Sequence, residues 1–346
     1  MKIIFCHEKD FSKYKLPFFN KKKNLIKKIP KTLFISGGSR NGNHLVWSLL
    51  DGNKNLPTLA GEDKFLSSLF KIDFNSIKVK KSFEINKINF AKKLSGGSYD
   101  KWKKIHSENL KKANWAGLKF TKKAPLIEFP EFQAKVFYKE YTNTLKENLK
   151  SSVFCFYDLY IAYLKGLNKL SNKKNYKTYR FINTESGLRK EILFLLKNGA
   201  NIKCVIPIRK FESFYFSKCQ NMFNSTKLKK NYLKEIWSQW KNKTLDYLYL
   251  KKKYPNNIIL VFFEDIENLN KREFYIKKIL KKLRLKFNKI NLIPTSFRKK
   301  VFPNSSFKKK IKLFKKNQKF EEFIFPKKNI PRNYRKIYNE VKKLVY

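Results

Sequence analysis

Six residues from Gly37 to Gly42, reading Gly-Gly-Ser-Arg-Asn-Gly, separate the apolar run KTLFIS (31–36) from a helical pattern beginning at Asn43. A glycine at each end lets backbone N–H groups turn inward. The helix that follows adds first-turn donors without carbonyl partners and the positive end of its dipole. That is the chemistry of a phosphate cradle. A nucleoside-triphosphate loop of the same G-x-x-x-x-G spacing continues with Lys and then Ser or Thr. The lysine reaches the β/γ-phosphates and the hydroxyl holds magnesium. Here Asn43 and His44 stand in those two places, and Arg40 is the fixed cation, inside the loop rather than after it. Such a loop suits a single phosphate-linked leaving group and no metal-bridged triphosphate. The spacing alone also occurs in plain β–α turns; an arginine facing a helix N-terminus is what points to an anion between them.

The stretch GGSRNGNHLVWSLL resembles the 5′-phosphosulfate loop of the sulfotransferases that use 3′-phosphoadenosine 5′-phosphosulfate (PAPS). Arg40, Asn41 and Gly42 match that family's pattern, and Asn43 and His44 replace its two usual hydroxyl residues. A second segment, IKCVIPIRKFESFYFSKCQN, is similar to the family's 3′-phosphate motif, with Arg209 at a strand end and Ser217 eight residues later in a helix. Lys210–Phe211 stands where the family usually has Asp/Asn–Pro. A third, IILVFFEDIENLNKREFYIKKILKKL, resembles the family's strand–YEDL–helix segment, and PNSSFKKK (303–310) resembles an Asn-Ser-Ser loop of bacterial members. Together the four cover about residues 31–310 in order.

The resemblance implies a metal-free site. Gly38, Ser39, Arg40, Asn41, Gly42, Asn43 and His44 would hold the 5′-phosphosulfate, Arg209 and Ser217 the 3′-phosphate, and Asn304, Ser305 and Ser306 further donors. Arg40 would stabilise charge on the departing phosphate oxygen. The family's base is a His or a Glu. Glu62, in GEDKFL, matches the glutamate of carbohydrate-modifying members, and partial burial would bring its pKa nearer neutrality. Glu62 could equally cap a helix beside Asp63, in which case His106 of WKKIHSENL is the alternative base. His44 would donate to the sulfonate or cap its helix. Thr184 stands where the family often has Lys-Thr-Pro, in an altered context.

Four apolar runs set the elements that must position these groups: 31–36, 179–183, 202–208 and 257–263. They lack polar alternation and are separated by helical patterns at 186–199, 210–223 and 233–254, with another at 271–285. That predicts an α/β fold, three layers with a central parallel sheet covered on both faces. The resemblance makes it the P-loop NTPase-like sulfotransferase fold. Ligands in such sheets sit at the carboxyl edge. The expected organisation is one domain over 31–310, with a mostly helical acceptor-binding insert at 71–175. A lead-in occupies 1–30 and a C-terminal helical extension 311–346.

Composition bounds the rest. The chain has 346 residues and a formal net charge of +54. Of its 80 basic residues nine are arginine and 71 lysine, spread along the whole length. Nucleic-acid readers cluster charge and favour arginine forks, so the charge reads as a solvated lysine surface. It would still attract an anionic acceptor or permit peripheral membrane contact. No apolar stretch is long enough to span a bilayer, and no signal-peptide core opens the chain. Cys6, Cys155, Cys204 and Cys219 have neither disulfide-framework nor metal spacing, which fits a cytoplasmic protein. The expected partner is a hydroxyl acceptor, a sugar or glycan, with no specific nucleic acid. An ATP-dependent P-loop kinase, with Asp265 imitating a Walker B acid, and a basic nucleic-acid-binding module are the competing readings.

Overall fold

The computed structural model describes residues 31–38, 41–56, 114–115, 118–119, 131–148, 161–163, 165–166, 169, 180–183, 189–197, 199–223, 233–296, 298–303 and 332–345. Four parallel strands form the central sheet. In chain order the elements begin with β1 (Thr32–Ile35), α1 (Asn43–Asp51), β2 (Asn114–Trp115), β3 (Leu118–Lys119) and α2 (Glu131–Asn148). They continue with β4 (Arg180–Asn183), α3 (Arg189–Lys197), β5 (Ile202–Ile208), α4 (Phe211–Phe223) and α5 (Leu233–Lys253). Then come β6 (Ile258–Phe262), α6 (Phe263–Glu267), α7 (Leu269–Leu283), a 3₁₀ turn at Lys289–Leu292, β7 (Thr295–Ser296), β8 (Lys299–Lys300), β9 (Phe302–Pro303) and α8 (Arg332–Leu344).

The sheet order is β4-β1-β5-β6, all parallel, with Ile35 opposite Val205 and Ile208 opposite Phe262. The expected strands therefore form where apolar residues run unbroken. Both faces are covered, so neither needs a polar row. On one face Leu33, Ile35, Val205, Ile259 and Val261 pack against Val46, Trp47, Leu49 and Leu50 of α1 and Ile276, Ile279, Leu280 and Leu283 of α7. Each such aliphatic side chain contributes about 1.5–3 kcal/mol relative to exposure. Strand alternation sends Phe34, Cys204 and Ile206 to the other face, where α5 lies with Trp240, Tyr247 and Leu250 buried. Helix α8 packs on α5, and Tyr334 sits within 5.6 Å of the Trp240 ring and 6.4 Å of Phe211. These layers are the three-layer α/β arrangement expected.

Gly199 closes α3 where the helical pattern of 186–199 ends, its N–H donating to Leu196 O at 3.1 Å. The short antiparallel sheet β2-β3-β9 falls partly in the stretch expected to be helical, and no run of the sequence announced it. Its strands are two residues long, too short for any period to register. The lead-in (1–30), the segment around Glu62 and most of 71–175 lie outside the described residues.

Chain order reverses at β1. From β1 the chain goes to β4 on one side, then crosses to β5 on the other and continues outward to β6. The carboxyl ends of β1 and β5 therefore flank a topological switch point, the crevice where open α/β sheets bind ligands. The segment Gly37–Gly42 leaves one of these ends and Arg209 the other.

Candidate functional site

The first turn is shaped by its own short side chains. The Gly37 N–H donates to Asn43 Oδ1 at 2.8 Å, and Asn43 Nδ2 donates back to Gly37 O at 2.8 Å. This reciprocal clip draws the start of α1 onto the end of β1. Asn41 N–H donates to Gly38 O at 3.1 Å, which holds these two residues together. Gly42 enters the helix at φ 97°, and a Cβ there would overlap the Phe263 ring. Only glycine takes that backbone readily, and only glycine fits that space. The Leu45 and Val46 N–H groups both bond Gly42 O, and the Asn43 N–H, ahead of them in the first turn, has no acceptor within the helix.

The second turn is built on one guanidinium. Arg209 is 5% exposed, and its Cζ lies 3.9 Å from the centroid of the Phe263 ring. Its carbonyl accepts from Trp240 Nε1 at 2.8 Å, and its N–H reaches Asn41 Oδ1 at 3.4 Å. The last contact ties the two turns together across the switch point. Glu264 Oε1 accepts from Lys210 N at 2.9 Å at the start of α4. Burial pushes the Glu264 carboxyl above the usual carboxylate range, while Arg209 and the groups donating to it pull the other way. Ser217 lies two turns into α4 and is 7% exposed, on the face turned inward.

A third element reaches the first turn from the side. A Cβ placed on Gly38 would fall 2.6 Å from Lys243 Cδ, 3.0 Å from its Nζ and 3.1 Å from Tyr247 Oη. Lys243 and Tyr247 lie one helical turn apart on α5. Burial lowers the Lys243 ammonium pKa and raises the Tyr247 hydroxyl. Sequence reasoning passed over Lys243, and no local signal marks it among so many lysines.

Of the residues singled out in the sequence, Gly38, Asn41, Gly42, Asn43, His44, Arg209 and Ser217 are described, and all sit at this edge or on the helices leaving it. The Asn43 side chain spends its amide on Gly37, so what it presents to a ligand is its backbone N–H. Ser39, Arg40, Glu62, His106, Thr184, Asn304, Ser305 and Ser306 lie outside the described residues. Asp265, the imitation Walker B acid, sits in the first turn of α6 and pairs with Lys271 at 4.0 Å. Among the described residues no three or more His, Cys, Asp or Glu side chains gather as a metal site. None of the described helices is long and apolar enough to cross a membrane. Cys204 is a buried thiol in β5, its pKa raised by that burial.

No family model and no curated protein matches the chain. Among solved structures, the sulfotransferase STF1 from Mycobacterium tuberculosis H37Rv is similar at a TM-score of 0.41 and 13% identity, over 82% of this chain and 73% of that one. Superposition at that level is loose, and the reading of the site rests on its own geometry.

Proposed function

We propose that the chain is a sulfotransferase that moves a sulfuryl group from PAPS to a hydroxyl, most reasonably on a carbohydrate or glycan. One observation carries this reading. At the switch point, a backbone cradle on β1 and a buried arginine on β5 stand on adjacent strands, joined by the Arg209–Asn41 contact. Neighbouring strands are about 4.8 Å apart. Two anion-holding turns at that spacing suit a nucleotide with phosphates at two positions of one ribose. Adenosine 3′,5′-bisphosphate, the leaving group of PAPS, is such a nucleotide. The 5′-phosphate would sit over the cradle and the 3′-phosphate against Arg209 and Ser217, where the arginine fork suits a phosphate dianion. The aromatic cover on Arg209 and its burial keep the guanidinium in one orientation, which favours recognition over loose attraction.

In the reaction the acceptor oxygen attacks sulfur in line with the bridging phosphate oxygen. A bond from acceptor oxygen to sulfur forms as the bond from sulfur to the phosphate oxygen breaks. The acceptor's proton passes to Glu62, or to His106 in its stead. Negative charge gathers on the leaving phosphate, where Arg40 and the cradle N–H groups stabilise it. Removing a donor of this kind commonly costs on the order of a hundredfold in rate. No step calls for a divalent ion.

The test is calorimetric titration in the presence of a chelator. Adenosine 3′,5′-bisphosphate should bind without magnesium, and labelled PAPS should pass its sulfuryl group to a polysaccharide panel. Arg40→Ala and Glu62→Gln should both lose turnover, with Glu62→Gln still binding the bisphosphate. Magnesium-dependent ATP binding with no bisphosphate binding would replace this reading with a kinase.

A further inference from the structure

Lysine is so common in this chain that no single one stands out by type, so location must do the selecting. Lys243 is singled out by three features. Its stem and ammonium lie against a glycine of the cradle, in the volume a Cβ at residue 38 would enter. Burial alone accounts for the lowering of its pKa, and among the described residues no carboxylate pairs with it. One turn along the same helix face, Tyr247 is 3% exposed; the Gly38 backbone and the Asn41 side chain approach its oxygen, and its own O–H proton has no acceptor among the described residues.

A partly desolvated ammonium without a counter-ion and a buried hydroxyl whose proton has no acceptor are both costly unless something completes them. Here both converge on one side of the same glycine. A single anion seated over Gly38 would satisfy the two together, accepting from Nζ and from Oη. A surface lysine merely extending its stem over apolar atoms would carry its charge away to water.

We propose that Lys243 is the second cation of the phosphate cradle and that Tyr247 is its hydroxyl donor. In a triphosphate loop that cation follows the last glycine of the loop; here Asn43 occupies that position and closes the turn. The charge enters from α5 instead, across the opposite side of the turn. The ligand chemistry is a phosphate ester or phosphosulfate held at the β1 turn. Calling it the 5′-phosphosulfate of PAPS rests on the function proposed above; calling it an anion site does not.

The experiment uses the full chain, with folding checked by circular dichroism, and titrates three nucleotides in chelator: adenosine 3′,5′-bisphosphate, 5′-AMP and 3′-AMP. Lys243→Met keeps the stem and removes the charge. It should weaken the bisphosphate and 5′-AMP by about tenfold to a hundredfold, the range for a lost charged hydrogen bond, and leave 3′-AMP unchanged. Lys243→Arg should recover most of the loss, and Tyr247→Phe should cost severalfold on the same two ligands. Equal losses on all three nucleotides, or no loss on any, overturn the proposal while bisphosphate binding by the unaltered protein keeps the sulfotransferase reading. Should the unaltered protein bind pyrophosphate but not the bisphosphate, and Lys243→Met abolish that binding, the sulfotransferase reading falls and the Lys243 site stands. Binding of none of these anions overturns both.

Discussion

Two β–α turns leave the same edge of one sheet, on neighbouring strands, and they are built in opposite ways. In the turn after β1, the described residues take their shape from glycines and from two asparagines bonding the backbone. The turn after β5 is dressed, with a guanidinium stacked on a ring, a carbonyl held by an indole and a carboxylate at the next N–H. On the proposed function, the first turn would hold its anion by backbone dipoles with Arg40 and Lys243 at its sides, and the second by one fixed charge on the turn itself. The first demands exact backbone shape and the second demands one side chain in one rotamer. Mutations should therefore fail differently on the two sides.

The sharpest break is at Gly42. Gly42→Ala forces a Cβ into the Phe263 ring at a backbone angle that alanine resists. Strain and overpacking together should cost about 3 kcal/mol or more. Thermal denaturation should show a fall of several degrees, and bisphosphate binding should drop with it, because here shape and affinity are one property. Next comes Arg209→Lys, which keeps the charge beside Glu264 but loses the fork and the stacking. Affinity for the bisphosphate should fall by about tenfold to a hundredfold, with melting temperature nearly unchanged. A large loss of stability in this variant would erase the contrast between the turns. The smallest effect is expected of Asn43→Ala. Two hydrogen bonds to Gly37 disappear, at a cost of about 1–2 kcal/mol, and faster hydrogen exchange at the Gly37 amide would report the opened clip.

The sheet was legible in the sequence because it is buried on both faces. Strands such as Ile202–Ile208 then consist of apolar residues with no polar alternation, and each was placed within a residue or two of its position. Arg209 was marked by the resemblance of its segment to a strand-end arginine motif, and its place at the end of β5 could be read because the apolar run stops there. The role of Asn43 was not legible. Whether an asparagine side chain faces a ligand or its own loop depends on where Gly37 lies, a contact six residues away that no periodicity encodes. Lys243 was hidden for a different reason: it sits about 200 residues from the glycine it touches, on a helix whose pattern reads as plain amphipathic surface. Tertiary approach alone distinguishes it from its neighbours. The hairpin of β2 and β3 with β9 was missed because pairing over two residues leaves no trace in composition.

Phe263 touches both turns: Gly42 lies against the edge of its ring, and the Arg209 guanidinium stands 3.9 Å from its centroid. One ring is thus shared by the two turns, and a shift of either is felt through it by the other. On the proposed function, a ligand whose charged ends stand closer together or farther apart would ask both turns to move at once.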